Sequence, residues 1–342
     1  MIEPHSLPDG SQALVRWPRV AVVMPVLNEG RHLRAAVRAI TVQDYPGQLE
    51  IVLALGPSDD DTAEIAAELA GADARISLVD NPSGLTPCGL NLAVAASTHE
   101  VVVRVDGHAI LPRDYVRVAV EVLTESGADN VGGVMAAEGV TPFEQAVARA
   151  MCTRLGIGGS RFHLGGAAGP VETVYLGVFR REILDRVGGF DPTLRRAQDW
   201  ELNHRIRKVG GVVWFTPRLH VTYRPRADLP ALARQFYRTG QWRRGVIRRM
   251  PDTANSRYLA PPAVVLALLG GLALAATGKP VGWLAPAGYA VGLLGGAAVT
   301  GRDLPPAAAV RLPLVYATMH LAWGAGFLLS PKDLIPDLPS TP

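Results

Sequence analysis

An α/β head built on a mostly parallel sheet, followed by about three membrane-crossing helices, is the architecture this 342-residue sequence predicts. Three observations predict it. Short apolar runs alternate with amphipathic stretches through the first hundred residues, the rhythm of βαβ units. Polar and acidic residues recur at the carboxyl ends of those runs, where open parallel sheets bind ligands. Beyond residue 258 the composition turns almost wholly apolar.

In chain order, RVAVVMPVL (19–27) is a buried strand that stops at Asn28, Glu29 and Gly30, and RHLRAAVRAI reads as an amphipathic helix. LEIVLAL (49–55) is a second strand and DTAEIAAELA (61–70) a second helix. ARISLVD (74–80) and GLNLAVAAS (89–97) repeat the pair, and EVVVRVD (100–106) is a fourth strand. Asn28, Asp59–Asp61, Asp80 and Asp106 all fall at strand ends. Further on, GGFDPTLRRAQDWELNHRIRKVGG (188–211) is a turn leading into a helix that starts near Ala197 and ends at Gly210. There is no G-x-G-x-x-G after the first strand and no G-x-x-x-x-G-K-[ST], which disfavours dinucleotide enzymes and P-loop ATPases.

The apolar part holds three runs, 260–277, 280–300 and 311–329, each near the length needed to cross about 30 Å of hydrocarbon. Between Arg224 and Arg257 lie nine arginines against Asp228 and Asp252. That excess just before the first run puts the head on the cytoplasmic face of an inner membrane, and Arg302 and Arg311 agree with this orientation. The N-terminus lacks the pattern of a signal peptide. Cys88 and Cys152 fit no metal-ligand spacing and read as reduced thiols. The expected divisions are an N-terminal extension (1–17), the head (18–225), a basic amphipathic interfacial segment (226–258), the membrane region (259–330) and a tail (331–342).

Two constellations carry chemistry. Asp106 and His108 flank a glycine, so in extended backbone both side chains point the same way. A carboxylate and an imidazole suit Mn²⁺, or Mg²⁺ with a nucleotide diphosphate completing the shell; Asp-Gly is also ordinary turn chemistry. In AQDWEL, Asp199 and Glu201 lie near a helix start. They serve the helix dipole there, and Glu201 has Arg205 four residues on, while Asp199 is placed to accept a proton from a hydroxyl.

The segments VVMPVLNEG, DNPSGLTPCGLN, VVVRVDGHA, VYLGVFRREILDRVGGFDPTLRRAQDWELNHRIRKVGG and ARQFYRTGQWR, in this order, resemble glycosyltransferase family 2, inverting enzymes of GT-A fold. They look most like its membrane-anchored exopolysaccharide type, of the kind involved in succinoglycan-like assembly. The resemblance implies a nucleotide-sugar donor, a UDP-sugar by default, and a divalent cation at Asp106 and His108. It also implies a base at Asp199. Pro25, Asn28 and Glu29 match the first nucleotide-binding loop; Asp60, Asp80, Asn81, Asn91, Arg104 and Asp106 complete the candidate donor-binding set. Two positions depart from the family pattern: Gly56 stands where an acidic residue is common, and Gln198 replaces an acid beside Asp199.

The block LARQFYRTGQWRRGVIRRM (232–250) loosely resembles a Q-x-x-R-W element and suits a lipid diphosphate or a bilayer surface. Gln198, Trp200, Glu201, Arg238, Gln241, Trp242 and Arg243 are the candidate acceptor or diphosphate contacts. The glycine-rich stretch 153–175 reads as a mobile loop over the acceptor, with His163 and Glu172 as its titratable residues. The expected partners are a nucleotide sugar, a lipid-linked acceptor and the bilayer, with no nucleic acid. The reaction expected is metal-dependent inverting transfer to a polyprenyl-diphosphate-linked saccharide. A polyprenyl-phosphate sugar synthase and a noncatalytic nucleotide-sugar sensor are the alternatives.

Overall fold

The computed structural model describes residues 16–335. Most of the expected N-terminal extension and of the tail therefore lies outside the described residues. In order, the elements are β1 (Val20–Val26), α1 (Leu33–Thr41), β2 (Leu49–Leu55), α2 (Thr62–Ala72), β3 (Ile76–Asp80), α3 (Thr86–Ala95), β4 (Val101–Arg104), α4 (Tyr115–Ser126), β5 (Asn130–Ala137), α5 (Pro142–Met151), α6 (Arg154–Ile157) and α7 (Arg161–Leu164). There follow β6 (Gly169–Pro170), β7 (Tyr175–Arg180), α8 (Arg181–Val187), α9 (Gln198–Lys208), β8 (Val213–Tyr223), α10 (Leu229–Arg249), α11 (Ala260–Ala276), α12 (Leu284–Thr300), α13 (Pro306–Ala309) and α14 (Leu312–Leu328).

The strands form one eight-stranded sheet in the order β3-β2-β1-β4-β7-β5-β8-β6. β1, β2, β3 and β4 run parallel; β1 and β4 are valine-rich and buried on both faces, as central parallel strands are, while β3 is a largely exposed edge strand. β7 enters antiparallel between β4 and β5, which makes the sheet mixed. The chain moves outward from β1 to β2 and β3, then returns to lay β4 on the other side of β1. This reversal opens a crevice beyond the carboxyl ends of β1 and β4.

Alternation along β4 decides which side chains enter that crevice. Val101, Val103 and Val105 join the core formed with α1, α2 and α4. Val102 packs in the opposite core, against Leu90 of α3, Ile183 and Leu184 of α8, and Leu202 and Ile206 of α9. Arg104, two residues after Val102, projects to the α9 side as well.

Two helical stretches, Ser256–Ala276 and Pro280–Thr300, are long and apolar enough to cross a membrane, with mean hydropathy 2.1 and 1.3 and little of either buried. The third apolar run behaves differently. α14 buries Leu312, Val315, Tyr316, Met319 and Phe327 in a cluster with α5 and α10 or beside it. Its approach to α10 is so close that a Cβ on Gly240 would lie 2.0 Å from the Trp323 carbonyl oxygen, and one on Gly326 2.0 Å from that of Tyr237. After α14 the chain stays on the head: Ser330 Oγ donates to the Gln241 carbonyl at 2.9 Å and Arg248 to that of Pro331 at 2.6 Å. The basic segment is thus a 21-residue helix with a protein partner along its length.

Candidate active site

A cavity of about 570 Å³ occupies the crevice. Pro25 and Glu29 reach it from the end of β1, Asn81 and Thr86 from the β3–α3 turn, and Arg104, Asp106, Gly107 and His108 from the end of β4. Arg195, Arg196, Ala197, Gln198 and Trp200 close it from the start of α9, and Thr239, Trp242 and Arg243 from α10.

On the β4 side, Asp106 Oδ1 accepts from Arg104 at 3.0 Å, and His108 Nδ1 lies 2.7 Å from Glu29 Oε1. The hydrogen bond to Glu29 raises the His108 pKa; the charges of Glu29 and Asp106 act in the same sense, while desolvation and Arg226 oppose them. Glu29 is itself fixed, because its backbone N–H donates to Thr62 Oγ1 at 2.8 Å. With Nδ1 engaged, Nε2 is the His108 atom left for a ligand.

These donors fit a divalent cation that shares its shell with phosphate oxygens. One carboxylate and one imidazole make a partial shell, the usual protein share for Mg²⁺ or Mn²⁺ on a nucleotide. They do not make an all-protein cage, and among the described residues no cluster of three or more His, Cys, Asp or Glu is arranged to hold a metal.

The facing wall begins at Ala197, a non-glycine residue in left-handed backbone (φ 62°) that turns the chain into α9. Asp199, in the first turn, forms an ion pair with Arg104 and keeps 31 % of its side chain exposed. Beyond it, the Arg243 guanidinium is sandwiched between Trp200 and Tyr258, 4.4 Å and 4.3 Å from their ring centroids. Desolvation lowers the Arg243 pKa. Its Nη1 and the Trp200 Nε1 are buried without a hydrogen-bond partner among the described residues. Desolvation, with Arg238 and Arg226 nearby, lowers the Arg196 pKa too. The cavity therefore sets a carboxylate–imidazole pair against guanidinium groups that form no salt bridge among the described residues, and Asp199, outside its lining, pairs with the Arg104 that belongs to it. That arrangement suits a polyanion at one end and proton removal beside it.

Across 314 residues, 90% of this chain and 93% of the relative, the sequence is 33% identical to the succinoglycan biosynthesis protein ExoA of Rhizobium meliloti (strain 1021). Residues 21–188 match the profile described as Glycosyl transferase family 2. The chain belongs to glycosyltransferase family 2. The glycosyltransferase AglE of Haloferax volcanii is 28% identical over 119 residues, 34% of this chain and 39% of AglE. Among solved structures, the mannosyltransferase PcManGT from Pyrobaculum calidifontis, in complex with GDP-Man and Mn²⁺, superposes with a TM-score of 0.61. It covers 92% of this chain and 88% of its own at 22% identity, a likeness of fold.

For a family 2 glycosyltransferase, then, the structure gathers Pro25, Glu29, Asn81, Arg104, Asp106, His108, Gln198, Trp200, Trp242 and Arg243 around one cavity, with Asp199 held there through Arg104. Other expected contacts lie elsewhere. Glu201 is buried in a two-armed pair with Arg205 (2.6 and 2.7 Å), so the helix-spaced partner wins over any acceptor. Asn91 bonds the Phe190 backbone in both directions and ties α3 to the turn before α9. Asp60 accepts from Thr62 and from the Gly30 N–H, which anchors the loop carrying Glu29. Asn28 accepts from the Asp59 N–H at 2.8 Å. Asp80 and Arg238 are exposed away from the cavity, and Gln241 meets Ser330 through its carbonyl.

Trp242 lines the cavity but is only 8 % exposed, packed with Leu194, Trp200 and Val246, which leaves little of its face for a sugar. The 153–175 stretch contains α6, α7 and β6. Its Glu172 is bound to Arg257 at 2.5 Å. Arg195, Arg196 and Thr239 were not anticipated. The Arg-Arg pair ahead of an acidic helix start was the available signal, since such a pair beside an anion site is seldom there only for solubility.

Proposed function

We propose that this glycosyltransferase moves one sugar from a nucleoside-diphosphate donor to a lipid-linked saccharide in exopolysaccharide assembly, with inversion at the anomeric carbon. The observation that carries the reading is that Arg104 joins Asp199 to Asp106 beside the cavity that Asp106 and His108 line. The kinship with ExoA over nearly the full length of both chains supports the pathway class. The fold shared with an enzyme holding GDP-Man and Mn²⁺ supports the donor class and the cation.

Asp106 and His108 would hold a Mn²⁺ or Mg²⁺ ion, whose charge would offset that of the diphosphate oxygens. Arg195 and Arg196 stabilise the growing negative charge from the opposite wall, while Arg243 faces the diphosphate of the acceptor. Asp199 takes the proton of the acceptor hydroxyl. The hydroxyl oxygen bonds to the anomeric carbon as the bond from that carbon to the diphosphate breaks on the other face. One displacement inverts the centre, and the nucleoside diphosphate leaves.

The same contacts support a membrane geometry. Ser256–Ala276 and Pro280–Thr300 form a hairpin into the bilayer, which returns the chain to the face carrying the arginines. α14 lies along the surface beneath α10, its Leu314, Leu321 and Leu329 turned to lipid, because both its ends are bound to the head. Tyr258, which covers Arg243, lies at the start of the first of these stretches. A lipid-borne acceptor thus reaches the cavity at the membrane surface.

Purified enzyme in bilayer discs, offered a panel of UDP- and GDP-sugars with Mn²⁺, tests this. Release of nucleoside diphosphate that rises with a lipid-diphosphate saccharide supports the reading. Stimulation by bare polyprenyl phosphate alone moves it to the synthase alternative, and no turnover with any donor or acceptor overturns it.

A further inference from the structure

We infer that Arg104 is a positioning residue that fixes the base to the donor-binding strand, and not a donor ligand; the inference rests on the reading of Asp199 as base and Asp106 as donor-side carboxylate. Arg104 ends β4 and is 5 % exposed. Burying a guanidinium costs several kcal/mol unless it is well paired. Here it forms ion pairs with two acids from different elements: Nη2 donates to Asp106 at 3.0 Å, and Nη1 pairs with Asp199 by charge, without a hydrogen bond among the described residues.

The pairing follows from the fold. Register sets Arg104 opposite Val23, at the level where β1 and β4 open into the crevice. Strand alternation turns it toward α9, and Asp106 follows on the same side. Asp199, for its part, sits after a left-handed residue at the end of a loop, on a helix start with no side-chain cap. Its helix alone does not determine where its carboxylate points. The Arg104 fork does, and references it to the strand that presents Asp106. The planar two-armed group is needed for this, since an ammonium is a single point charge that cannot hold two acids in fixed relative geometry.

Without this fork the base stays present but loses its register with the donor. A displacement of about 1 Å at a reacting group costs on the order of 100-fold in rate. Arg104→Met should therefore lower kcat for sugar transfer by about 100-fold, while binding of UDP or GDP with Mn²⁺, read by calorimetry, changes by less than about fivefold. Arg104→Lys keeps the charge and should remain at least about tenfold slow. Added guanidinium should restore part of the activity of Arg104→Ala, which a purely structural role would not predict. If Arg104→Met does not fold, the Arg104→Lys and guanidinium results decide.

Nucleotide binding lost in step with kcat would make Arg104 a donor ligand and overturn the inference. So would full activity in Arg104→Lys. Failure of the underlying reading looks different: Asp199→Asn would then retain transfer whatever Arg104 does.

Discussion

Arg243 stacks its guanidinium 4.4 Å over the ring of Trp200, the residue next to Asp199, the proposed base. The stack continues on both sides, to His204 beyond Trp200 and through Tyr258 to Trp323. It joins α9 to the root of the first apolar helix, α11. Each cation–π contact is worth about 0.5–2 kcal/mol. Tyr258→Ala should raise the KM for a lipid-diphosphate acceptor by about 5- to 30-fold and leave donor hydrolysis within about twofold. Equal effects on both reactions would separate Arg243 from acceptor binding.

Asp199→Asn removes the proton acceptor and keeps the side-chain shape. General-base removal costs about 10²–10⁴-fold, so transfer should fall by that range while calorimetric binding of UDP or GDP with Mn²⁺ stays within about threefold. A large loss of nucleotide affinity would place Asp199 on the donor instead.

Asp106→Ala should abolish the Mn²⁺ dependence of nucleotide binding. Glu29→Gln acts one bond further out, by releasing His108 Nδ1. Partners of a metal ligand commonly account for about 10- to 100-fold in metal affinity, and a drop of about tenfold in Mn²⁺ affinity, by electron paramagnetic resonance titration, is expected for Glu29→Gln. Unchanged affinity would return Glu29–His108 to a loop-stabilising pair.

His163 of α7 gives a pH signature in stability. Burial pushes its imidazole down to about 4, and its Nδ1 has no partner among the described residues. An unfolded histidine titrates near pH 6.5. Between those values the unfolded chain binds a proton that the folded chain refuses, so stability is full above about pH 6.5 and falls as pH drops towards 4. His204, lowered chiefly by desolvation, acts in the same sense. His163→Gln should therefore lose less Tm than the native chain between about pH 7.5 and 5. Parallel curves would contradict a neutral His163 with its Nδ1 shielded from water.

The legible part of this molecule was the part governed by local pattern. β1 to β4 announce themselves as apolar runs, and the acids at their ends mark the ligand edge. β5 and β7 carry glycines in place of an unbroken apolar run, and the insertion of β7 between β4 and β5 is a long-range pairing that periodicity cannot reveal. Site residues divide the same way. Asp106 and Asp199 are singled out by element and position, whereas Arg195 and Arg196 stand out only from the cavity they close. Glu201 and Asn91 sit at plausible positions, but their partners, Arg205 and Phe190, claim them. The expected third span, α14, is the least legible, because hydropathy does not distinguish an apolar face that meets lipid from one that meets α10.

That last distinction can be tested directly. The α10–α14 contact depends on Gly240, where a Cβ would press on the Trp323 carbonyl, and backbone cannot yield as a side-chain tip does. Overpacking of this kind costs typically 1–3 kcal/mol or more. Gly240→Val should lower the Tm of detergent-solubilised enzyme by several degrees and weaken transfer, since Trp242 and Arg243 lie two and three residues on. Cysteines placed at Ser330 and Thr277 complete the test in intact cells. Ser330 at the end of α14 should resist a membrane-impermeant maleimide, while Thr277 at the tip of the hairpin should react. Labelling of both from outside would restore α14 as a third crossing and put the chain after it on the far side from the head.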